Sequence, residues 1–235
     1  MQHVILERWS RGSSFLHQRD ARVKILALLI FLVVVATTQG NFEVPGLCYV
    51  AMLVAGVIAA RLPMAGVLRR AAVALPFSFT FAAVSWLSGE PRRAVLLIEK
   101  SYLSAWAALL LVATTPLPQL LRGLEMLGAP GFLLMVAQFL YRYLFVIVEQ
   151  AHRMRLAGQS RGGMLGFRAA AGALGVLFVR SYERAGKIHQ SMISRGFQGR
   201  FQLLSQPQFG LADTAFLCLA SGAPLTAALL ARIWA

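Results

Sequence analysis

Apolar residues fall in long runs along the first half of this chain, with short polar breaks between them. Runs over 23–40, 44–60, 71–88 and 96–115 are each near the length that crosses a hydrocarbon core of roughly 30 Å as a helix, and a fifth over 211–232 closes the sequence. The second run follows a turn containing Asn41 and Glu43. The third holds Pro76, which membrane helices tolerate because neighbours satisfy the freed backbone groups. After residue 115 the pattern changes to apolar residues three and four apart. Leu117, Leu120, Leu121, Leu124 and Leu127 make one face of a short helix and Gln119, Arg122 and Glu125 the other, with Gly128 and Pro130 closing it. Two longer helices are predicted over 132–161 and 166–195.

Basic residues orient these elements, because Lys and Arg concentrate in cytoplasmic loops. Arg8, Arg11, Arg19, Arg22 and Lys24 place the N-terminal segment in the cytoplasm, and the first turn, which has no basic residue, lies outside. Arg61, Arg69 and Arg70 mark the next loop as inside. The third run then leads out and the fourth back in. Residues 150–208 carry nine Lys/Arg and belong inside. The run over 132–148 is apolar enough on average to be a sixth span, but a crossing there would put those nine cations outside. It also contains Gln138 and Arg142, with Glu149 adjoining, groups that are expensive at bilayer depth. It is therefore read as an amphipathic helix on the cytoplasmic face. Arg92 and Arg93 run against this scheme by falling outside; Glu90 and Glu99 offset them in part.

The expected architecture is an all-α integral membrane protein with five transmembrane helices, N-terminus in and C-terminus out. Residues 1–22 form a cytoplasmic segment, 23–115 four spans, 116–208 a cytoplasmic domain of one short amphipathic and two long helices, and 209–235 the last span.

Composition fits this picture. The 235 residues are 58% hydrophobic and 14% charged, too little polar surface to coat a globule in water. The net charge of +14 would suggest nucleic acid in a soluble protein; here membrane orientation accounts for it, and no nucleic-acid partner is expected. Cys48 and Cys218 sit singly in apolar runs, without the spacing of a metal or redox motif. No signal-peptide segment precedes the first run, which is expected to be retained as a span.

The cytoplasmic domain repeats itself. "EQAHRMRLAGQSRG" at 149–162 aligns without gaps on "ERAGKIHQSMISRG" at 183–196, so Ser160-Arg161-Gly162 coincides with Ser194-Arg195-Gly196. Each copy sets a Glu four residues before a cation, Glu149 before Arg153 and Glu183 before Lys187, the favourable order on a helix. Each triplet reads as a helix C-terminus: Gly adopts the left-handed conformation that ends a helix, and Arg lies at the negative end of the helix dipole. Alone, either triplet is an ordinary capped helix whose Arg helps hold the end. Repeated on two similar cytoplasmic helices, they suggest two plugs for two identical sockets, where a guanidinium offers a rigid fork of donors and Ser permits close approach.

The paired triplets resemble the signature of the transmembrane (T) component of energy-coupling factor importers, uptake systems for vitamins and transition metals driven by paired ABC-type ATPases. "HQRDARVK", with Asp20, Arg22 and Lys24, is similar to the family's N-terminal Asp-Pro-Arg-x-Lys, with Ala21 in place of Pro. "TTPLPQLLRGLEMLGAP" is similar to the segment after the fourth span, and "FVRSYERAGKIHQSMISRGF" most resembles the cobalt-uptake branch. The family's triplets usually begin with Ala; both here begin with Ser. The resemblance implies that Arg161 and Arg195 dock into grooves of two ATPase subunits, with Ser160, Gly162, Ser194 and Gly196 shaping the contact. It further implies a separate substrate-binding membrane subunit, most simply a cobalt-binding one, with a small accessory membrane subunit as a further partner, and a location in the cell inner membrane. A T component serving biotin or another vitamin is the alternative.

Other signals carry less. No GxxxxGK[ST] is present, so ATP hydrolysis is expected in partner chains and this chain is not expected to be an enzyme. "LSGE" at 87–90 resembles an ATPase signature loop but falls at a span end. His3, His17, His152 and His189 share no metal-site spacing with Cys or carboxylates, so no metal site or cofactor is expected. Glu99-Lys100 is either an interfacial pair or an intramembrane functional one. A membrane enzyme with a cytoplasmic active site remains the alternative from another class, with only Glu125, Glu149 and Glu183 as acids over 116–208.

Overall fold

A computed structural model describes residues 12, 14, 16–38, 43–162, 166–199 and 210–233. His3, Arg8, Arg11, Gly40, Asn41 and the stretch 200–208 lie outside the described residues. Among the described residues the regular structure is helical, as the all-α expectation had it. In chain order the helices are α1 (Ala21–Thr37), α2 (Glu43–Ala59), α3 (Met64–Ala71), α4 (Leu75–Leu87), α5 (Pro91–Thr114), α6 (Leu117–Met126), α7 (Gly131–Ser160), α8 (Phe167–Ser194) and α9 (Leu211–Ile233). They divide into two compact units, one of residues 1–127 with 206–235 and one of 128–205.

Among the described residues, four helical stretches are long and apolar enough to cross a membrane: Met64–Leu87, Pro91–Thr114, Gly131–Ser160 and Ala212–Leu229. Val44–Ala59 is apolar but shorter. Length and composition thus admit α7 as a span, where the sequence reading expects an amphipathic helix on the cytoplasmic face. The third span starts earlier than the sequence suggests. Arg69 and Arg70 lie in the last turn of helix α3 rather than in a loop, and a 3₁₀ turn at Ala72–Ala74 joins α3 to α4. Pro76 accounts for that turn, since it has no N–H to bond the carbonyl four residues back. Past α4, Gly89 turns the chain with φ +84°, and Arg93 Nε lies 2.6 Å from Glu90 Oε2, neutralising one of the two cations there.

In the first unit α1 touches α5, α6 and α9, while α2, α3 and α4 pack against α5. Phe31, Val35, Tyr49, Val57, Val67 and Trp106 form the buried centre. Two close approaches set its tightness. A Cβ on Gly56 would meet Leu110 Cδ2 at 2.8 Å, and one on Gly123 would meet Ala21 Cβ at 3.1 Å, so α2 and α6 press their partners at glycine.

Helices α1 and α5 are fastened to one another at both ends by lysine. Lys24, in the first turn of α1 and 5% exposed, donates from Nζ to Thr114 O at 3.2 Å and to Thr115 Oγ1 at 3.1 Å, at the carboxyl end of α5. Lys100 of α5 donates to Ala36 O at 3.2 Å and Thr38 O at 2.6 Å, at the carboxyl end of α1. Each ammonium meets carbonyls left unpaired where the partner helix stops, at the negative end of its dipole. Lys100 thus makes a structural clasp, which neither the interfacial nor the intramembrane functional reading of Glu99-Lys100 had named.

Replacing either lysine with methionine removes charge-assisted bonds and strands their acceptors, a loss of about 1–3 kcal/mol. Thermal unfolding of the purified protein in detergent, followed by tryptophan fluorescence, is expected to show lower midpoints for Lys24→Met and Lys100→Met, with Lys24→Arg retaining part of the loss. Unchanged midpoints would mean that the clasps carry no stability.

Candidate functional site

The second unit consists of α7 and α8. Gln150 and Arg184 line clefts on both sides of the pair, which places the crossing of the two helices there. The apolar cleft, about 530 Å³, is lined by Met135, Phe139, Leu144, Ile188 and Met192 among others. The opposite cleft, about 720 Å³, holds Glu149, Arg153, Arg161, Arg180 and Arg184.

Both triplets form helix ends with nearly one geometry. Arg161 closes α7 at φ −90°, ψ 12°, and Arg195 closes α8 at φ −91°, ψ 9°. Gly162 and Gly196 follow in the left-handed region at φ +72° and +78°. Gly162 N donates to Gln159 O at 3.1 Å and Gly196 N to Ile193 O at 2.9 Å; Phe197 N adds a bond to Met192 O at 3.0 Å, completing a Schellman cap on α8. The serines match as well. Ser160 Oγ donates to Leu156 O at 3.1 Å and Ser194 Oγ to Gln190 O at 2.9 Å, each turned back onto its own helix.

These caps act through backbone and serine, leaving the guanidinium groups out. Arg161 and Arg195 are exposed, and neither makes a side-chain hydrogen bond or ion pair among the described residues. The supporting pairs differ between copies. Arg153 bonds Glu149, whereas Glu183 and Lys187 form no ion pair within 4 Å among the described residues.

The N-terminal motif lies in the first unit and has a structural role. Asp20 caps α1, accepting from Arg22 N at 3.0 Å; Arg22 reaches Met126 Sδ of α6; Lys24 makes the clasp already described. Asp213, which the sequence did not single out, joins this cluster. Its carboxylate accepts from Gly210 N at 3.2 Å and from Asp20 N at 3.4 Å, and lies 3.7 Å from Arg19 Nη1. An isolated acid at the start of the last apolar run was the available signal. Among the described residues no group of three His, Cys, Asp or Glu is placed to hold a metal ion. His152 and His189 are exposed on α7 and α8.

Fold and site define an all-α membrane protein that carries two matched, arginine-tipped helix ends. A family model described as cobalt transport protein, CbiQ, matches residues 12–204. The cobalt transport protein CbiQ of Rhodobacter capsulatus is 29% identical over 184 residues, 72% of this chain and 75% of that protein. The energy-coupling factor transporter transmembrane protein EcfT of Bacillus selenitireducens is 27% identical over 92% of each chain. EcfT of Acidaminococcus fermentans is 25% identical over 83% of this chain and 84% of that one. The chain belongs to the CbiQ family of cobalt transport proteins.

Left-handed glycine is what ends α7 and α8 where they end, and an L side chain there costs about 1–2 kcal/mol. Gly162→Ala and Gly196→Ala are expected to raise hydrogen exchange across the last turns of α7 and α8 and leave the first unit unchanged. Unaltered exchange at both ends would show that the caps do not depend on glycine.

Proposed function

We propose that this chain is the transmembrane coupling subunit of an energy-coupling factor importer for cobalt. In this reading two ABC-type ATPase subunits each receive one arginine-tipped helix end, and their nucleotide-driven motion passes through α7 and α8 to a separate substrate-binding membrane subunit. The observation that carries it is the pair of caps with matching backbone angles, each presenting a guanidinium that has no side-chain hydrogen bond or ion pair among the described residues. A fork of donors left free at the end of a rigid helix suits carboxylates or carbonyls in a partner groove. The apolar cleft and the exposed apolar faces of the spans supply surface for the substrate subunit and for lipid. One relative named CbiQ and two named EcfT support the transporter class, and the CbiQ family match favours cobalt over a vitamin.

The topology belongs to the same reading: inner membrane, N-terminus and residues 116–208 cytoplasmic, C-terminus outside. Single cysteines at 159 and 235, in a background lacking Cys48 and Cys218, test it in intact cells. A membrane-impermeant reagent is expected to label 235 and spare 159; the reverse pattern refutes the topology.

Each docked guanidinium contributes about 1.5–3 kcal/mol, roughly tenfold to a hundredfold in affinity. Arg161→Ala and Arg195→Ala are expected to cut cobalt uptake sharply while the remaining end holds the assembly by avidity. The double substitution should release or uncouple the ATPases, and Lys should rescue poorly at either position. Folding should survive, since neither side chain takes part in its cap. Wild-type assembly and uptake in the double mutant would reduce the triplets to helix caps.

A further inference from the structure

The two triplets share a backbone but not their surroundings. Arg161 lines the cleft that also holds Arg153, Arg180 and Arg184. Glu149 pairs with Arg153, so one of these four cations is compensated. Arg161, Arg180 and Arg184 have no ion-pair partner among the described residues. Arg195 lines neither cleft. The residues that follow and precede it, Phe197 and Met192, line the apolar one with Ile188.

A concave wall with three uncompensated guanidinium groups focuses positive potential on whatever enters it. Holding like charges around one groove costs energy in the free protein, and a matching anion relieves that cost. Val146, Met154 and Val176 line the same cleft, so an occupant meets apolar contact between the charges. The cleft is continuous with Arg161, which the proposed function already assigns to an ATPase groove.

From this we infer that the two docking ends are unequal: the Arg161 end carries a secondary site, formed by Arg180 and Arg184 with Arg161, for an acidic segment of one ATPase subunit, and the described residues at the Arg195 end form no such site. The inference rests on the proposed function and adds the chemistry of one contact. Association at the first end is steered by charge and falls with salt, while the second end is held by its single fork.

The test uses full-length protein in nanodiscs of zwitterionic lipid and purified cognate ATPase subunits, with affinity measured across a salt series. Arg180→Gln/Arg184→Gln is expected to weaken binding on the order of tenfold at low salt and to flatten the salt dependence. Arg180→Lys/Arg184→Lys should keep most of the salt dependence, which separates charge from folding. Combining the Gln pair with Arg195→Ala should be more damaging than combining it with Arg161→Ala, because the second combination removes groups from a single end. Unchanged affinity and salt slope in the Gln pair would overturn the inference. So would an effect that appears only in nanodiscs with anionic lipid, since the cleft would then be a headgroup site. If Arg161→Ala/Arg195→Ala still binds the ATPases as wild type does, the proposed function itself fails, a result distinct from either of these.

Discussion

A helix that stops beside another in a membrane leaves its last carbonyls without water to accept from. The first unit meets that constraint with two lysines pointing in opposite directions. Lys24 of α1 closes the end of α5, and Lys100 of α5 closes the end of α1. The two helices therefore run antiparallel in fixed register, because sliding either by one turn would separate both ammonium groups from their carbonyls. Other elements refer to this pair. Helix α6 docks on α1 through Gly123, α9 packs along α1 with Asp213 in the cluster around Asp20, and α4 packs along α5, with Ser78 and Ser101 joined through their hydroxyls. Taking a lysine head out of water is expensive, and it is offset here because each head reaches two oxygens where a helix dipole is negative.

The second unit ends its helices by a different device. Glycine in the left-handed region and a serine hydroxyl turned back four residues complete the caps of α7 and α8 without any cation. That separation matters for function. An arginine that capped its own helix would already have its donors occupied. Here the cap is finished before the guanidinium is counted, so Arg161 and Arg195 remain available to another molecule. The same negative helix end that fixes Lys24 inside the first unit leaves Arg161 outward in the second.

Much of this was legible in the sequence because it depends on local rules. Apolar runs gave the helices, the Ser-Arg-Gly triplets gave the ends of α7 and α8, and left-handed glycine followed from chain chemistry alone. The leucine period gave α6, though not Gly123 as the reason it can approach α1. What escaped depends on contacts between distant segments. Thr114 and Thr115 read as the stop of a span, yet their oxygens hold Lys24 from ninety residues away. Lys100 read as one of an adjacent pair with Glu99, whereas its partners are on α1. The repeated Glu-to-cation spacing looked equivalent in the two copies, but only Glu149 and Arg153 pair. Spacing permits such a pair on an exposed helix face; side-chain entropy and solvent decide whether it forms.

The rarity of lysine in this chain gives those positions more weight than sequence reading assigned them. Only Lys24, Lys100 and Lys187 occur among 23 basic residues. A compositional bias toward arginine would leave few lysines anywhere, and chance would put them on exposed surfaces. Two of the three instead close helix ends. The chemistry of the sites explains the choice. Carbonyls at a helix end point along the axis, which suits a compact ammonium with three rotatable donors such as Lys24 beside Thr114 O and Thr115 Oγ1. For the docking role proposed for the ends of α7 and α8 the requirement is reversed, because a wide, rigid fork favours carboxylates or carbonyls, and there the chain has arginine in both copies. The division between the two cations thus follows the division of labour: lysine fixes the unit that must keep its register, and arginine tips the helices that reach outward.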